Sequence, residues 1–547
     1  MAQEAAGQSA SSKAFANRIA RSIAEIQSNV NNMADVVVLL EVLGYNDNDA
    51  KKHGFENLEA LGRYVYDFVD AYEEKEIDWS AGKLAVSSKT RRLKESLTMM
   101  FPWIGSLVLL AVAGVSLWMA WGLPAAVTTA FLAGVFTGLA ITEGMAQNLH
   151  RLFSFYYSQT NVGEVRRSIK RNYALAGAIL SVAVALVYLA AENWSLPVQL
   201  ASIATIGMVT ISLHRLSYVV LYAMKKLRQI AISYSIAFAV VLGLFYLLQP
   251  TIPDVTARYL AALGSAFAVL SGFAAYYHHR LLAGSTTAIV ARNAPHFYSP
   301  LTVNDKTLTS RYSVQLWESL PYFLYGSCYF IIIFADRILS WIFNPHTVTA
   351  SNGAQLPLAF NSVYHAGADL ALLIIIPVAI LQYILTEPIY AMAHNKAIRL
   401  RVREIRKVDR FIRRSYAKTL VSTLVVSISV AALLSLVVGP AILERIGGNE
   451  VSHRILMYAS AGAVMLSVFA ANAIFMIFLG RTKELAIISI LAAATVIAGG
   501  VIMAVLFGFE KITLGYLAGT TLAAITSSIV MSETLKKAAS RLFARYV

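Results

Sequence analysis

From residue 99 onward the chain is a series of apolar runs of about 20 residues, none showing the alternation of a half-buried strand. Twelve can be drawn, at roughly 99–121, 124–146, 172–191, 197–222, 229–248, 257–277, 320–343, 366–389, 417–440, 456–479, 485–507 and 512–533. Each is long enough to cross a hydrocarbon core of about 30 Å at 1.5 Å per residue. Continuous runs of this kind satisfy their backbone in lipid only as helices. The pattern predicts an all-α integral membrane protein with 12 transmembrane helices. Residues 1–97 read differently, as short amphipathic helices. Val36 to Leu40 leads to a stop at Gly44, Asn46-Asp47 offers a cap, and His53-Gly54 precedes a helix with Leu58, Leu61, Val65, Phe68 and Val69 on one face. This is a small cytosolic helical module, and it holds no catalytic constellation.

The polar positions between the runs fix an orientation. Counting each connection with the first turn of the helix after it, the even-numbered connections carry 24 Lys plus Arg and the odd-numbered ones 4. Both flanks are also basic, through Arg91, Arg92 and Lys94 and through Lys536, Lys537 and Arg541. By the positive-inside rule both termini are expected in the cytoplasm, which requires an even number of spans. A weak repeat divides the chain further. The long basic loop after the second run (about 147–171) recurs after the eighth (about 390–416), and each enters its third helix through Arg-Arg-Ser, at Arg166-Arg167-Ser168 and Arg413-Arg414-Ser415. Two six-helix bundles are therefore expected, over residues 98–311 and 312–535, with a basic cytosolic tail at 536–547.

Composition removes several function classes. Hydrophobic residues make up 57% and charged residues 14%, against about 25% charged in a soluble protein, and mean hydropathy is +0.59. A large soluble enzyme and a disordered chain are both excluded. The single cysteine, Cys328, excludes a disulfide framework, a four-cysteine zinc site and an iron–sulfur cluster. The net charge of +15 sets topology in such a chain rather than nucleic-acid binding. No signal peptide is expected, there is no Walker A motif, and the outward loops are too short for a catalytic domain. No enzyme class, cofactor or metal site is expected.

What chemistry there is lies inside the spans, where a charge costs about 2.5–3.5 kcal/mol and tends to face the bundle interior or water. The candidates for a transport cavity are Glu143, Arg215, Glu318, Asp336, Arg337, Asp369 and Glu387, with Tyr325, Tyr329 and Tyr364 beside them. Opposite chain directions place Arg337 and Asp369 both in the outer half, so an ion pair between the seventh and eighth helices is expected, either as a switch or as a permanent staple. Asp336 and Arg337 are adjacent, point about 100° apart and are expected to need separate partners; Asp336 is open to a further reading as a cation or proton site. Glu318 and Glu387 lie near the inner boundary. Tyr322, Tyr325 and Tyr329 recur at spacings of three and four; Tyr325 and Tyr329 suit a wet, sugar-contacting wall or helix packing, and Trp317 and Tyr322 an interfacial belt. Ten of the 23 residues from Lys396 to Lys418 are Lys or Arg, a basic segment that reads by default as a topological marker resting on phospholipid headgroups, with guidance of a polyanionic or lipid-pyrophosphate substrate or docking of a cytosolic partner as the alternatives.

The segments Leu320-Pro321-Tyr322-Phe323, Phe334-Ala335-Asp336-Arg337-Ile338-Leu339-Ser340-Trp341, Tyr364 with Asp369, Ile376-Pro377 and Thr386-Glu387-Pro388-Ile389-Tyr390 resemble the integral-membrane exporter subunit of the Pel exopolysaccharide system. Arg215-Leu216-Ser217-Tyr218 fits it more loosely. That family belongs to the multidrug/oligosaccharidyl-lipid/polysaccharide (MOP) flippases. The resemblance implies two bundles around a central cavity in the bacterial cytoplasmic membrane, moving a glycan or lipid-linked glycan outward. It also implies a cytosolic glycosyltransferase and other membrane subunits as partners. A cation-coupled drug efflux carrier of the same superfamily and a non-transporting scaffold for a glycosyltransferase are the alternatives.

Overall fold

The structure, a computed structural model, describes residues 12, 15–20, 23, 33–73, 88–158, 162–282, 312–396 and 405–541. Ahead of the membrane part lie α1 (Met33–Val42), α2 (Asp47–Lys52) and α3 (Leu58–Glu73). Gly44 and Gly54 turn the chain at φ +88° and +82°, where a side chain would be strained. The Asn46 side chain accepts from the backbone N–H groups of Asn48 and Asp49 and so caps α2. Val36, Leu40, Ala50, Phe55, Leu58, Leu61 and Val65 close a small core. The side chains of Phe68 and Val69 lie outside the described residues.

The first half of the membrane part comprises α4 (Lys89–Ala113), α5 (Ala125–Ser158), α6 (Val162–Asn193), α7 (Val198–Ala223), α8 (Leu227–Leu247) and α9 (Val255–Leu282). The second half comprises α10 (Tyr312–Ile342), α11 (Ser362–Leu372) and α12 (Ile375–Lys396), which together form the eighth span, and α13 (Ile405–Leu433), continued by α14 (Gly439–Arg445). It ends with α15 (Glu450–Phe478), α16 (Thr482–Phe507) and α17 (Ile512–Leu535). Among the described residues twelve stretches are long and apolar enough to cross a membrane.

Three runs depart from uninterrupted helix, the eighth by the turn at residues 373–374 between α11 and α12. The first, expected to reach residue 121, stops at Ala113. Gly114 takes φ +67° and donates its N–H to Leu110, and the Ser116 hydroxyl accepts from the N–H groups of Trp118 and Met119. This folds Val115 to Ala120 into a buried hairpin. Hydropathy alone does not separate an apolar hairpin from helix. In the ninth run Pro440 has no N–H to offer the carbonyl four residues back. The Gly439 N–H instead reaches Leu434, five back, and residues Leu434–Val438 widen into a π turn.

Packing follows the small residues, as expected where lipid removes the hydrophobic drive between helices. A Cβ added at Gly134 of α5 would land on the Ala204 carbonyl of α7, and one at Gly367 of α11 on the Ser452 carbonyl of α15. The two halves correspond. Their fourth helices, α7 and α15, are the most enclosed, with 67% and 72% of the apolar stretch buried, while the third helices, α6 and α13, stand at the rim with 11% and 22%. The halves meet where α10 packs on α5 and where α12 packs on α4.

The α5–α7 crossing gives a direct check on this packing. Gly134→Val forces an overpacked contact worth about 1–3 kcal/mol, so its melting temperature in detergent should fall below the parent's. Gly177→Ala on α6, with nothing within 4 Å of the added carbon, should melt at or above the parent temperature.

Candidate functional site

Arg337 is 1% exposed, five residues from the C-terminal end of α10, so its guanidinium must find protein partners in place of water. It finds them on two helices. Nε donates to Asp369 Oδ1 at 2.8 Å and Nη2 to the Ala368 carbonyl at 2.7 Å, both on α11. Nη1 donates to the Ile333 carbonyl at 2.7 Å and to Asp336 Oδ1 at 2.8 Å on its own helix. The expected pairing of Arg337 with Asp369 is thus present in the geometry. The expectation that Asp336 and Arg337 need separate partners is corrected. The long arginine side chain bends back across one residue, and one guanidinium answers two carboxylates. Asp336 Oδ2 in turn accepts from the Tyr364 hydroxyl at 2.8 Å. Asp336 and Tyr364 are 1% and 0% exposed, a layer behind any accessible surface, whereas the Asp369 side chain is 51% exposed.

Sequence reading passed over two further members. Asp369 Oδ2 is bonded to His365 Nδ1 at 2.8 Å, and Trp341 Nε1 donates to His365 Nε2 at 2.8 Å. The signal was available as two pairs at i, i+4 (Arg337 with Trp341, His365 with Asp369) on facing helices. It was masked because Trp341 reads equally as a packing residue.

The first half holds a second cluster. Arg215 Nε of α7 donates to Glu143 Oε2 of α5 at 2.6 Å, and Gln147 Nε2 donates to Glu143 Oε1 at 2.8 Å. Glu143 is buried, while the Arg215 side chain keeps 30% of its surface. Beside it His214 is hydrogen-bonded to the Tyr234 hydroxyl, and Arg215 and His214 line a small cavity with Trp103, Trp118 and Tyr222. Glu143 and Arg215 were singled out separately; no sequence pattern joins residues 72 apart.

Tyr325 and Tyr329 lie on α10 with ring centroids 6.0 Å apart, both partly accessible, and Tyr325 meets Phe469 edge-on. Trp317 is 75% exposed, and the Arg151 guanidinium lies over the Tyr322 ring. Glu318 and Glu387 tie the halves together. Glu318 accepts from Arg151 of α5 at 2.9 Å, and Glu387 of α12 lies 3.5 Å from Arg92 of α4. Arg92 Nη1 also donates to the Ile384 carbonyl and the Tyr383 hydroxyl to Glu95. Of the basic segment from Lys396 to Lys418, residues 397–404 lie outside the described residues; Arg410, Arg414 and Lys418 stand exposed along α13. Among the described residues no three His, Cys, Asp or Glu side chains converge as a metal ion requires.

The asymmetry of burial makes the two sides of the network unequal. Arg337→Gln strips the partner from two carboxylates, a loss of about 3–5 kcal/mol for a buried pair. Asp369→Asn leaves Arg337 still facing Asp336 and should cost less. Thermal midpoints in detergent should therefore rank parent, then Asp369→Asn, then Arg337→Gln.

The model of the PelG family, described as an exopolysaccharide exporter (EPS-E), matches residues 96–543. No curated protein matches the chain. Among solved structures it is similar to MATE in the bent conformation, with TM-score 0.57, 13% identity, and 84% of this chain and 99% of that one covered. It is similar also to the outward-facing conformation of a multidrug resistance MATE family transporter of the MOP superfamily (TM-score 0.53, 15% identity, 84% and 98% covered). A third likeness is to a MOP superfamily transporter from Pyrococcus furiosus (TM-score 0.56, 15% identity, 84% and 100% covered). Those identities speak for the fold, two six-helix bundles. Together with the resemblance over residues 320–390, the family match makes this a multi-pass membrane exporter, and the N-terminal helices before residue 96 stand outside the matched region. The chain belongs to the PelG exopolysaccharide exporter family.

Proposed function

We propose that this chain moves an exopolysaccharide, as a growing chain or a lipid-linked unit, outward across the bacterial cytoplasmic membrane through the space between its two halves. The moving bodies are the bundles at 98–311 and 312–535, both termini face the cytoplasm, and the chain performs no chemistry on the glycan. The excess of Lys and Arg in the even-numbered connections supports the orientation. A cytosolic glycosyltransferase supplies the polymer, and other membrane subunits complete the assembly.

One observation carries the assignment of the passage. Asp369 lies one turn after His365 on α11, and His365 accepts from Trp341, whose ring stacks on Phe136 of the first half. The face of α11 that carries His365 and Asp369 is therefore turned toward the first half, and further along the same span Glu387 meets Arg92 of that half. The open part of the Asp369 carboxylate looks into the space between the halves rather than toward lipid. Arg337, Asp336 and Tyr364 hold it from behind. Tyr325, Tyr329, Glu143 and Arg215 belong to the same wall deeper in, where glycan hydroxyls exchange water for tyrosine, carboxylate and guanidinium groups. At the inner ends Arg92–Glu387 and Arg151–Glu318 form a latch that opens to admit the substrate.

Secretion tests the reading. In cells carrying the glycan's synthase, Asp369→Asn at unchanged membrane abundance should lower secreted polymer by about fivefold or more, the low end of a site-to-site coupling, with polymer retained inside. Asp369→Glu should keep most secretion. Parental secretion by Asp369→Asn would remove Asp369 from the passage.

A further inference from the structure

Resting on that reading of Asp369, we infer that Trp341 and His365 are positioning residues for export: they set the direction in which the Asp369 carboxylate faces the passage. The Asp369 side chain is 51% exposed, and a half-open carboxylate ordinarily samples several rotamers. Here both oxygens are held, one by Arg337 and the other by His365. A histidine ring can carry its proton on either nitrogen, and what the other nitrogen touches decides which. Trp341 Nε1–H is a donor only, so its bond to His365 Nε2 requires a lone pair there. The proton is thereby placed on Nδ1, which donates to Asp369 Oδ2.

Trp341 is itself held. Its ring is 1% exposed and stacks at 5.5 Å and 16° on Phe136 of α5, in the first half. The His365 ring is flanked by Phe360 at 4.5 Å. The charged and titratable groups around this pair are Asp369, Arg337, Asp336 and Tyr364; Phe136 brings no charge from the first half. The aim of Asp369 thus depends on a chain of contacts from α5 through Trp341 and His365, so it is sensitive to how the two halves meet.

The test measures secreted glycan at matched membrane abundance in the full chain. Trp341→Phe keeps a ring and removes only the donor. It should lower secretion by about fivefold, a positional coupling at the low end of the usual range, and should cause no further loss in an Asp369→Asn background, because its effect runs through Asp369. His365→Leu should behave like Trp341→Phe. His365→Gln offers an acceptor to Trp341 and a donor to Asp369 and should recover most secretion. Equal losses from Trp341→Phe in both backgrounds would show that the ring only braces the halves and would overturn the inference. So would parental secretion by His365→Leu, or His365→Gln no better than His365→Leu. Parental secretion by Asp369→Asn alone would instead overturn the reading on which the inference rests.

Discussion

A guanidinium buried at membrane depth has no water to fall back on, and the structure around Arg337 is organised by that need. Four of its donor contacts end on two carboxylates and two backbone carbonyls, divided between α10 and α11. Removing Arg337 would leave both carboxylates unanswered in a place where a few kcal/mol are at stake. The C-terminal end of the seventh span and the N-terminal end of the eighth are therefore fastened as one body. The ties at their opposite ends are of another kind. Arg92 and Glu387 stand 3.5 Å apart, and Glu318 is 61% exposed where it meets Arg151. A pair as open as Arg151–Glu318 is worth about 0–1 kcal/mol, whereas Arg92 and Glu387 are only 11% and 14% exposed and Arg92 also holds the Ile384 carbonyl. Magnitude decides which set yields when the halves move. On the proposed reading the Arg151–Glu318 pair is the first to separate, and the Arg337 network stays intact within its half.

That comparison changes what the Arg337–Asp369 pair is for. A pair that opened to admit substrate would need an energy source of several kcal/mol merely to expose its arginine. A pair that stays closed while half of one carboxylate remains accessible needs none. The second arrangement is the one the burial describes, with Arg337 and Asp336 enclosed and Asp369 presented. Asp336 then serves as a brace on Arg337 more readily than as a free cation site, since both its oxygens are occupied.

Much of this was legible from residue order. Length and continuity of the apolar runs are enough to place twelve helices. Opposing chain directions were enough to bring Arg337 opposite Asp369. The failures share a cause: they arise where a side chain or a missing N–H overrides the periodic pattern. Ser116 captures backbone donors and turns an apolar stretch into a hairpin. Pro440 deprives a carbonyl and opens a π turn. Helical angle separates Asp336 from Arg337, but an arginine side chain is long enough to cancel that separation. Glu143 and Arg215 met through tertiary packing, for which no local spacing stands as a proxy.

The two ionic clusters sit on different halves and at different depths. Glu143 and Arg215 belong to α5 and α7, toward the ends that join the basic connections, whereas Arg337 and Asp369 lie toward the opposite ends of α10 and α11. Between them α10 carries Tyr325 and Tyr329, and at Gly326 it runs against the backbone of Glu143 itself. Each ionic cluster occupies only part of the depth of its own half. On the proposed reading a hydrated polymer therefore meets both clusters only where the halves face each other. This explains why the charges are buried from behind and offered from one side only. A fully solvated cluster on either bundle would leak, and a fully enclosed one would give the glycan nothing to replace its water.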